Sequence, residues 1–303
     1  MGEQEISRVA INNSNEILEQ QLDVRNKELE EKLDSDVLFY SGPIVPPSDD
    51  LIKDSIEERQ NKRNKLTIVL ETPGGYIETA KRIAETTRHH YTGSVDFIIP
   101  NFAMSAGTIL VMSGDSIYMN YYSVLGPIDP QIQRKGGSGL VPALGYLVQY
   151  NRFIKKAQKG KLTTPEMTFL IEKFDPAELY RYEQERELSI ALLKEWLVKY
   201  KFKNWTNTET RRLNVTPKMK ETRAKEIVEK LNDTDRWHSH SCGISIEVLR
   251  RDLNLKIEDF EANTDLNHKI RNYYRLLVDY MLRRRHDISL HTKGLYFGVA
   301  TKQ

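Results

Sequence analysis

Leu66-Thr67-Ile68-Val69-Leu70, stopped by Thr72-Pro73-Gly74-Gly75, is the stretch on which the fold turns. An unbroken β-branched and leucine run suits a strand buried on both faces of a parallel sheet, and Pro-Gly-Gly is turn chemistry. A helix is predicted next, from about Ile77 to His89. Val95 to Ile99 then reads as a second apolar strand, ending at Pro100. Strand, glycine turn, helix and strand in that order make a βαβ unit, whose parallel pairing requires a crossover. The pattern recurs downstream. Asn101-Phe102-Ala103-Met104-Ser105-Ala106-Gly107-Thr108 follows with small residues, Thr108 to Met112 continues as a buried helix, and Ser116 to Met119 supplies a third strand. The class is α/β, with Gly and Ser at strand ends, where such folds place their sites.

Upstream, Val37 to Tyr40 reads as a strand closed by Ser41-Gly42-Pro43, and Asp49 to Gln60 as a helix. Residues 14–34 read as an exposed amphipathic helix. Beyond about Leu140 the composition changes. Tyr146 to Lys161 and Pro176 to Tyr200 are charged helices rich in Tyr and Leu, and Thr216-Pro217 opens another that runs through Leu231. Asn232 to Gly243 is a polar loop. Ser245 to Leu253 is a short helix with Ser245 as its N-cap candidate, and His268 to Arg285 a basic-ended amphipathic helix.

Composition narrows the function classes. With 303 residues, 39% of them apolar, the chain can fill a sizeable core. Lys plus Arg (45) nearly balances Asp plus Glu (43), so the net charge of +2 offers no broad field for nucleic acid. The single cysteine, Cys242, excludes an intrachain disulfide framework and suits a reducing compartment, so the cytoplasm is expected. No signal-peptide core and no apolar run long enough to span a bilayer is present; Met1-Gly2 fails as a myristoylation start because position six is Ile. His89-His90 lies without carboxylate or cysteine at ligand spacing, so no metal and no cofactor is expected. Arg283-Arg284-Arg285 reads as dipole compensation at a helix end.

Two segments can carry chemistry. In Thr72-Pro73-Gly74-Gly75 the glycines allow a sharp turn with exposed N–H groups, able to hold an oxyanion; taken alone, the segment is just a turn. In Ala103-Met104-Ser105-Ala106-Gly107-Thr108, small neighbours let a substrate backbone approach Ser105 at a helix N-terminus; taken alone, Ser105 is an N-cap.

Together, and followed by Gly126-Pro127-Ile128-Asp129-Pro130-Gln131, the two segments resemble the serine dehydrogenase proteinase family, Clp-fold serine proteinases related to Clp protease subunits and signal peptide peptidase A. The resemblance is dense from Val37 to Ile132 and thinner over Asp233 to Leu255. It implies a Clp/crotonase-type repeated ββα core with an N-terminal helix and a large helical C-terminal region. The expected divisions are an N-terminal helical segment (1–35), the α/β core (36–160), a helical insertion (161–232) and a C-terminal helical part completing the core (233–303). It further implies a serine peptidase acting on a peptide or protein, assembled as a homo-oligomer. Ser105 falls at the nucleophile, and Gly75 and Ala106 at the two backbone donors of the oxyanion hole.

The departure lies at the base. Where Clp subunits carry histidine, this chain has Asp129, and a carboxylate near its reference pKa of about 3.9 is a poor base for a serine hydroxyl. His240 falls near the acidic position of the Clp triad, so histidine and aspartate can have exchanged places, with Asp129 orienting the imidazole. Lys155 or Lys156 is the alternative base, since signal peptide peptidase A enzymes use a Ser/Lys pair; a lysine base must be desolvated. Two other readings stay open at this point: a crotonase-like acyl-CoA enzyme using the same oxyanion hole, and a catalytically inactive scaffold binding a partner through the helical half.

Overall fold

A computed structural model of the chain describes residues 13–128, 131–133, 140–208, 211–237, 239 and 242–300. The helices among these are α1 (Ser14–Leu33), α2 (Ser48–Glu58), α3 (Ile77–His90), α4 (Ala106–Val111), α5 (Ala143–Gln158), α6 (Thr164–Lys173), α7 (Pro176–Trp196), α8 (Pro217–Leu231), α9 (Thr234–Trp237), α10 (Ile246–Arg251) and α11 (Thr264–Arg284). The strands are β1 (Asp36–Ser41), β2 (Lys65–Glu71), β3 (Ser94–Ile98), β4 (Phe102–Ala103), β5 (Ile117–Met119), β6 (Val124–Leu125), β7 (Gln131–Gln133), β8 (Leu140–Pro142), β9 (Ile244–Ser245), β10 (Glu258–Asp259), β11 (Ile288–Thr292) and β12 (Leu295–Val299).

The main sheet has the order β10-β5-β3-β2-β1-β11-β12. Strands β10, β5, β3, β2 and β1 pair in parallel, while β11 and β12 close one side as an antiparallel hairpin. The sequence explains why β1 and β2 lie inside it. Leu38, Tyr40, Leu66, Ile68 and Leu70 enter one core with α3, whereas Val37, Phe39 and Val69 enter another with Leu22 and Leu29 of α1 and Tyr273 and Leu277 of α11. Successive residues of a strand point to opposite faces, so a continuous apolar run fits only where helices cover both. Each such fully buried Leu or Phe contributes about 2 kcal/mol by removing apolar surface from water.

A second, smaller sheet, β4-β6-β9, stands at the carboxyl ends of the parallel strands. It is joined to the main sheet through a parallel bridge between Thr72, just past β2, and Ala103 of β4. The Thr72 N–H donates to Phe102 O at 3.1 Å, and the Met104 N–H donates to Thr72 O at 2.9 Å. The α/β core of Clp/crotonase type, with its N-terminal helix and large helical C-terminal region, is therefore present.

The expected elements form within a few residues of their predicted bounds, with several differences; among them, helix α9 lies inside the segment read as a polar loop, and α6 forms where no helix is predicted. The last helix begins at Thr264, capped by the Asn263 side chain, which accepts from the Leu266 N–H. Ser245 occupies the cap position of α10 without a side-chain cap hydrogen bond; its backbone is paired in β9 and its side chain is engaged with the Glu247 carboxyl. The helix predicted to reach Tyr200 ends as α7 at Trp196 and widens into a π-turn over Leu197–Lys201. The C-terminal part, read as helical, also supplies the hairpin β11–β12, whose turn is made at Gly294 with φ 74.

Candidate active site

Ser105 stands in the two-residue gap between β4 and α4, with φ 51 and ψ −119. A non-glycine residue at positive φ costs about 1–3 kcal/mol, so the surrounding structure must hold it there. Three restraints do so. The Thr72 bridge fixes the strand entering the turn. The Gly107 N–H donates to Met104 O at 2.8 Å, closing the turn on its far side. The Thr108 hydroxyl lies 2.9 Å from the carbonyls of both Ala103 and Gly126 and accepts from the Gly126 N–H at 3.0 Å. The Ser105 side chain makes no cap hydrogen bond to α4, so its hydroxyl is left for other work.

The glycine corner closes on this turn. Gly74 has φ 99, and a Cβ built there would come within 2.8 Å of Ser105 Cβ and 3.3 Å of Ala106 N. Gly75 is bridged in parallel to Ile44: Ile44 N–H donates to Gly74 O, and Tyr76 N–H to Ile44 O, both at 2.8 Å. In that pattern the N–H of Gly75 itself faces away from Ile44. Among the described residues, no backbone acceptor takes the amide hydrogens of Gly75 or Ala106. Both residues line one small cavity with Ser105. Two free amide donors and a hydroxyl at one cavity can polarise a carbonyl and attack it. Helix α4 is only six residues long, so any polarisation here has to come from such donors rather than from a helix dipole.

That cavity, about 30 Å³, has room for roughly one water, and Ser105 is only 7% exposed. Its outer wall is α7, which packs on α3 and α4 and brings Glu185 and Ser189 to the pocket. The Ser189 hydroxyl donates to the Glu185 carbonyl at 2.9 Å. Burial pushes the Glu185 carboxyl above the usual range; Arg181, whose Nε is 3.6 Å away, works against this, and Glu78 adds to it. Glu185 was not identified from sequence, since its place depends on a helix arriving from eighty residues downstream of Ser105.

The raised carboxyl has a stability consequence. The folded protein binds this proton more tightly than the unfolded chain, so wild-type stability falls as pH rises from the ordinary 4.5 through the raised value. Glu185→Gln is expected to remove that component, giving a higher urea midpoint than wild type at pH 7 and a shallower loss between pH 4.5 and 7. Equal pH slopes in the two proteins would show that the carboxyl is not desolvated.

The structure places the other sequence-predicted residues as follows. Asp129 and His240 lie outside the described residues, as does His238. Lys155 and Lys156 sit in the last turn of α5, exposed, and Lys156 is paired with Glu166 at 2.6 Å. Neither lysine lines the Ser105 cavity. The described residues contain no group of three or more side chains suited to a metal, and no helix long and apolar enough to cross a membrane.

Residues 51–150 match the family described as ClpP-like SDH-type serine proteinase, a span that contains the glycine corner and Ser105 and stops short of His240. Two uncharacterized proteins of Methanocaldococcus jannaschii are similar. One is 27% identical over 215 residues, covering 71% of this chain and 56% of its own length. The other is 34% identical over 83 residues, covering 27% of this chain and 29% of its own length. The chain thus spans about half or less of the curated relatives it matches. Among solved structures, 1510-N membrane-bound stomatin-specific protease is similar as a serine-to-alanine variant, at 14% identity and TM-score 0.42, covering 77% of this chain and 81% of that one. Its lysine-to-alanine variant in complex with a substrate peptide gives 14% identity and TM-score 0.42, covering 87% and 85%.

Proposed function

We propose, for a chain whose residues 51–150 belong to the ClpP-like SDH-type serine proteinase family, that it is a serine peptidase working through an acyl-enzyme on Ser105. The observation that carries this reading is the uncommitted Ser105 hydroxyl sharing one cavity with the free N–H groups of Gly75 and Ala106; the small sheet beside the site adds to it. Strand β4 pairs in parallel with β6, matching Ala103 to Leu125, and β6 pairs antiparallel with β9, matching Leu125 to Ile244. The chain therefore leaves β4 and β6, and enters β9, at one end of the sheet. Ser105 is two residues past Ala103, Asp129 four past Leu125, and His240 four before Ile244. That shared end of the sheet supports His240 and Asp129 as the proposed base and its orienting partner.

In the proposed sequence, Ser105 Oγ attacks the scissile carbonyl carbon as its proton passes to the base, and the N–H groups of Gly75 and Ala106 hold the oxyanion. The C–N bond breaks with the proton returned to the leaving amine, and water then releases the acyl group by the same steps. His240, oriented by Asp129, is the base we favour. Lys155 and Lys156 are the weaker claimants, because both are exposed on α5 and neither lines the Ser105 cavity. The substrate is a peptide or protein, the proposed assembly a homo-oligomer, and the proposed compartment the cytoplasm.

Labelling with a fluorophosphonate tests the reading. The full-length protein is expected to take up one equivalent, located at Ser105 by peptide mapping, and to lose peptide hydrolysis in step. Absence of labelling together with binding of an acyl-CoA would replace it by the crotonase-like alternative.

A further inference from the structure

A second cavity, about 750 Å³, opens at the other end of the main sheet. Its wall includes Asp115 and Ser116, which lead into β5, and Glu258 at the start of β10. Since β5 and β10 are parallel to β2 and β3, this is the amino end of the strands, opposite the carboxyl-end corner that holds Ser105. Its volume is that of a pocket for a small organic molecule.

The charges in the wall are unevenly committed. Asp115 is held by Arg88 at 2.6 Å, Glu258 by Lys256 at 3.0 Å, and Arg223 by Glu226 at 2.6 Å. Two cations remain without a carboxylate in ion-pair range among the described residues, Lys201 and Arg250. Arg250 spends Nε and one terminal nitrogen on the Ile257 carbonyl, at 3.2 and 2.6 Å. Lys201 reaches only the Asp115 carbonyl, at a long 3.4 Å. It closes the π-turn that follows α7, an irregularity that in helices often marks a site. Apolar surface stands beside it, from the flat Trp205 indole and from Ile257, while the Tyr200 ring is already covered by the Arg88 guanidinium at 4.0 Å.

We propose that this cavity binds a small organic anion carried on a flat ring, with Lys201 pairing to the anion and Trp205 stacking on the ring. A cavity of neutral character would not leave two cations without a carboxylate, and an inorganic anion would not use the apolar wall. Burial lowers the Lys201 ammonium to about 8, against the opposing pull of Glu258, Asp96 and Asp115, with Lys256 adding to the lowering. A bound anion relieves that desolvated charge. The site is independent of the chemistry at Ser105.

A phosphate and a carboxylate share this chemistry, and the two are separated by probe. Calorimetry on the full chain would use adenosine 5′-monophosphate and 2-naphthoate, each beside its uncharged counterpart, adenosine and 2-naphthamide. At pH 7 at least one anion is expected to bind with Kd below about 1 mM and at least about tenfold more tightly than its neutral partner. Lys201→Met should abolish that tenfold preference, and Lys201→Arg should retain it. In the wild-type protein, affinity for the anion should fall as pH rises from 7 to 9.5, because the ammonium loses its proton across about 8. This readout needs no variant to fold. Absence of binding by both anions, an unchanged preference in a folded Lys201→Met protein, or a pH-independent Kd overturns the proposal. None of these results bears on labelling of Ser105.

Discussion

Replacing Ser105 by alanine is expected to lower kcat for peptide hydrolysis by about 10⁵–10⁶-fold, the cost typical of removing an activated nucleophile. The substitution takes away only Oγ, which makes no cap hydrogen bond, so the helix loses nothing that it uses. Alanine at φ 51 is as strained as serine, and the thermal midpoint should stay within a few degrees of wild type. Glycine at the same position separates catalysis from strain. Ser105→Gly should be equally inactive yet at least as stable as Ser105→Ala, because glycine adopts that backbone without penalty. Turnover in Ser105→Ala comparable to wild type, measured on protein purified away from host peptidases, would remove the nucleophile from the mechanism.

Gly75→Ala is the second large effect. A Cβ on Gly75 would lie 2.1 Å from the Ile44 carbonyl oxygen and 2.6 Å from its carbon, far inside any real contact. The neighbour is backbone, held by the Gly74 and Tyr76 hydrogen bonds, so the corner must move as a unit. Moving it swings the Gly75 N–H away from the serine turn, and losing one oxyanion donor typically costs about 3 kcal/mol of barrier. We expect kcat to fall at least about 100-fold, with a lowered thermal midpoint from the overpacking. Ala106→Gly, which keeps the N–H and adds no atom, should lose far less. If Gly75→Ala and Ala106→Gly were equally active, the corner would have no part in catalysis.

Much of this was legible from local sequence. The run Leu66 to Leu70, the Pro-Gly-Gly that stops it and the small residues around Ser105 are contiguous signals, and the strand, corner and turn form where those signals put them. The misses share a cause. Glu185 is ordinary on its own helix and acquires its raised pKa only because α7 packs over a serine from another part of the chain. The Lys201 cavity is assembled from four separated segments, none with a motif. The hairpin β11–β12 has weak periodicity, with β12 only half buried, so its pairing is decided by the free edge of β1. The match of Leu125 to Ile244 is likewise invisible in one dimension, since a ladder of two residues carries almost no pattern.

That short ladder has an evolutionary corollary. Everything from β7 through α9 departs after β6 and comes home at β9, its immediate neighbour. An excursion whose exit and return share a doorway can grow, shrink or be swapped for another without rethreading the sheet. Because α7 of this excursion roofs the serine cavity, exchanging it would alter which molecules gain entry while leaving the reacting atoms undisturbed.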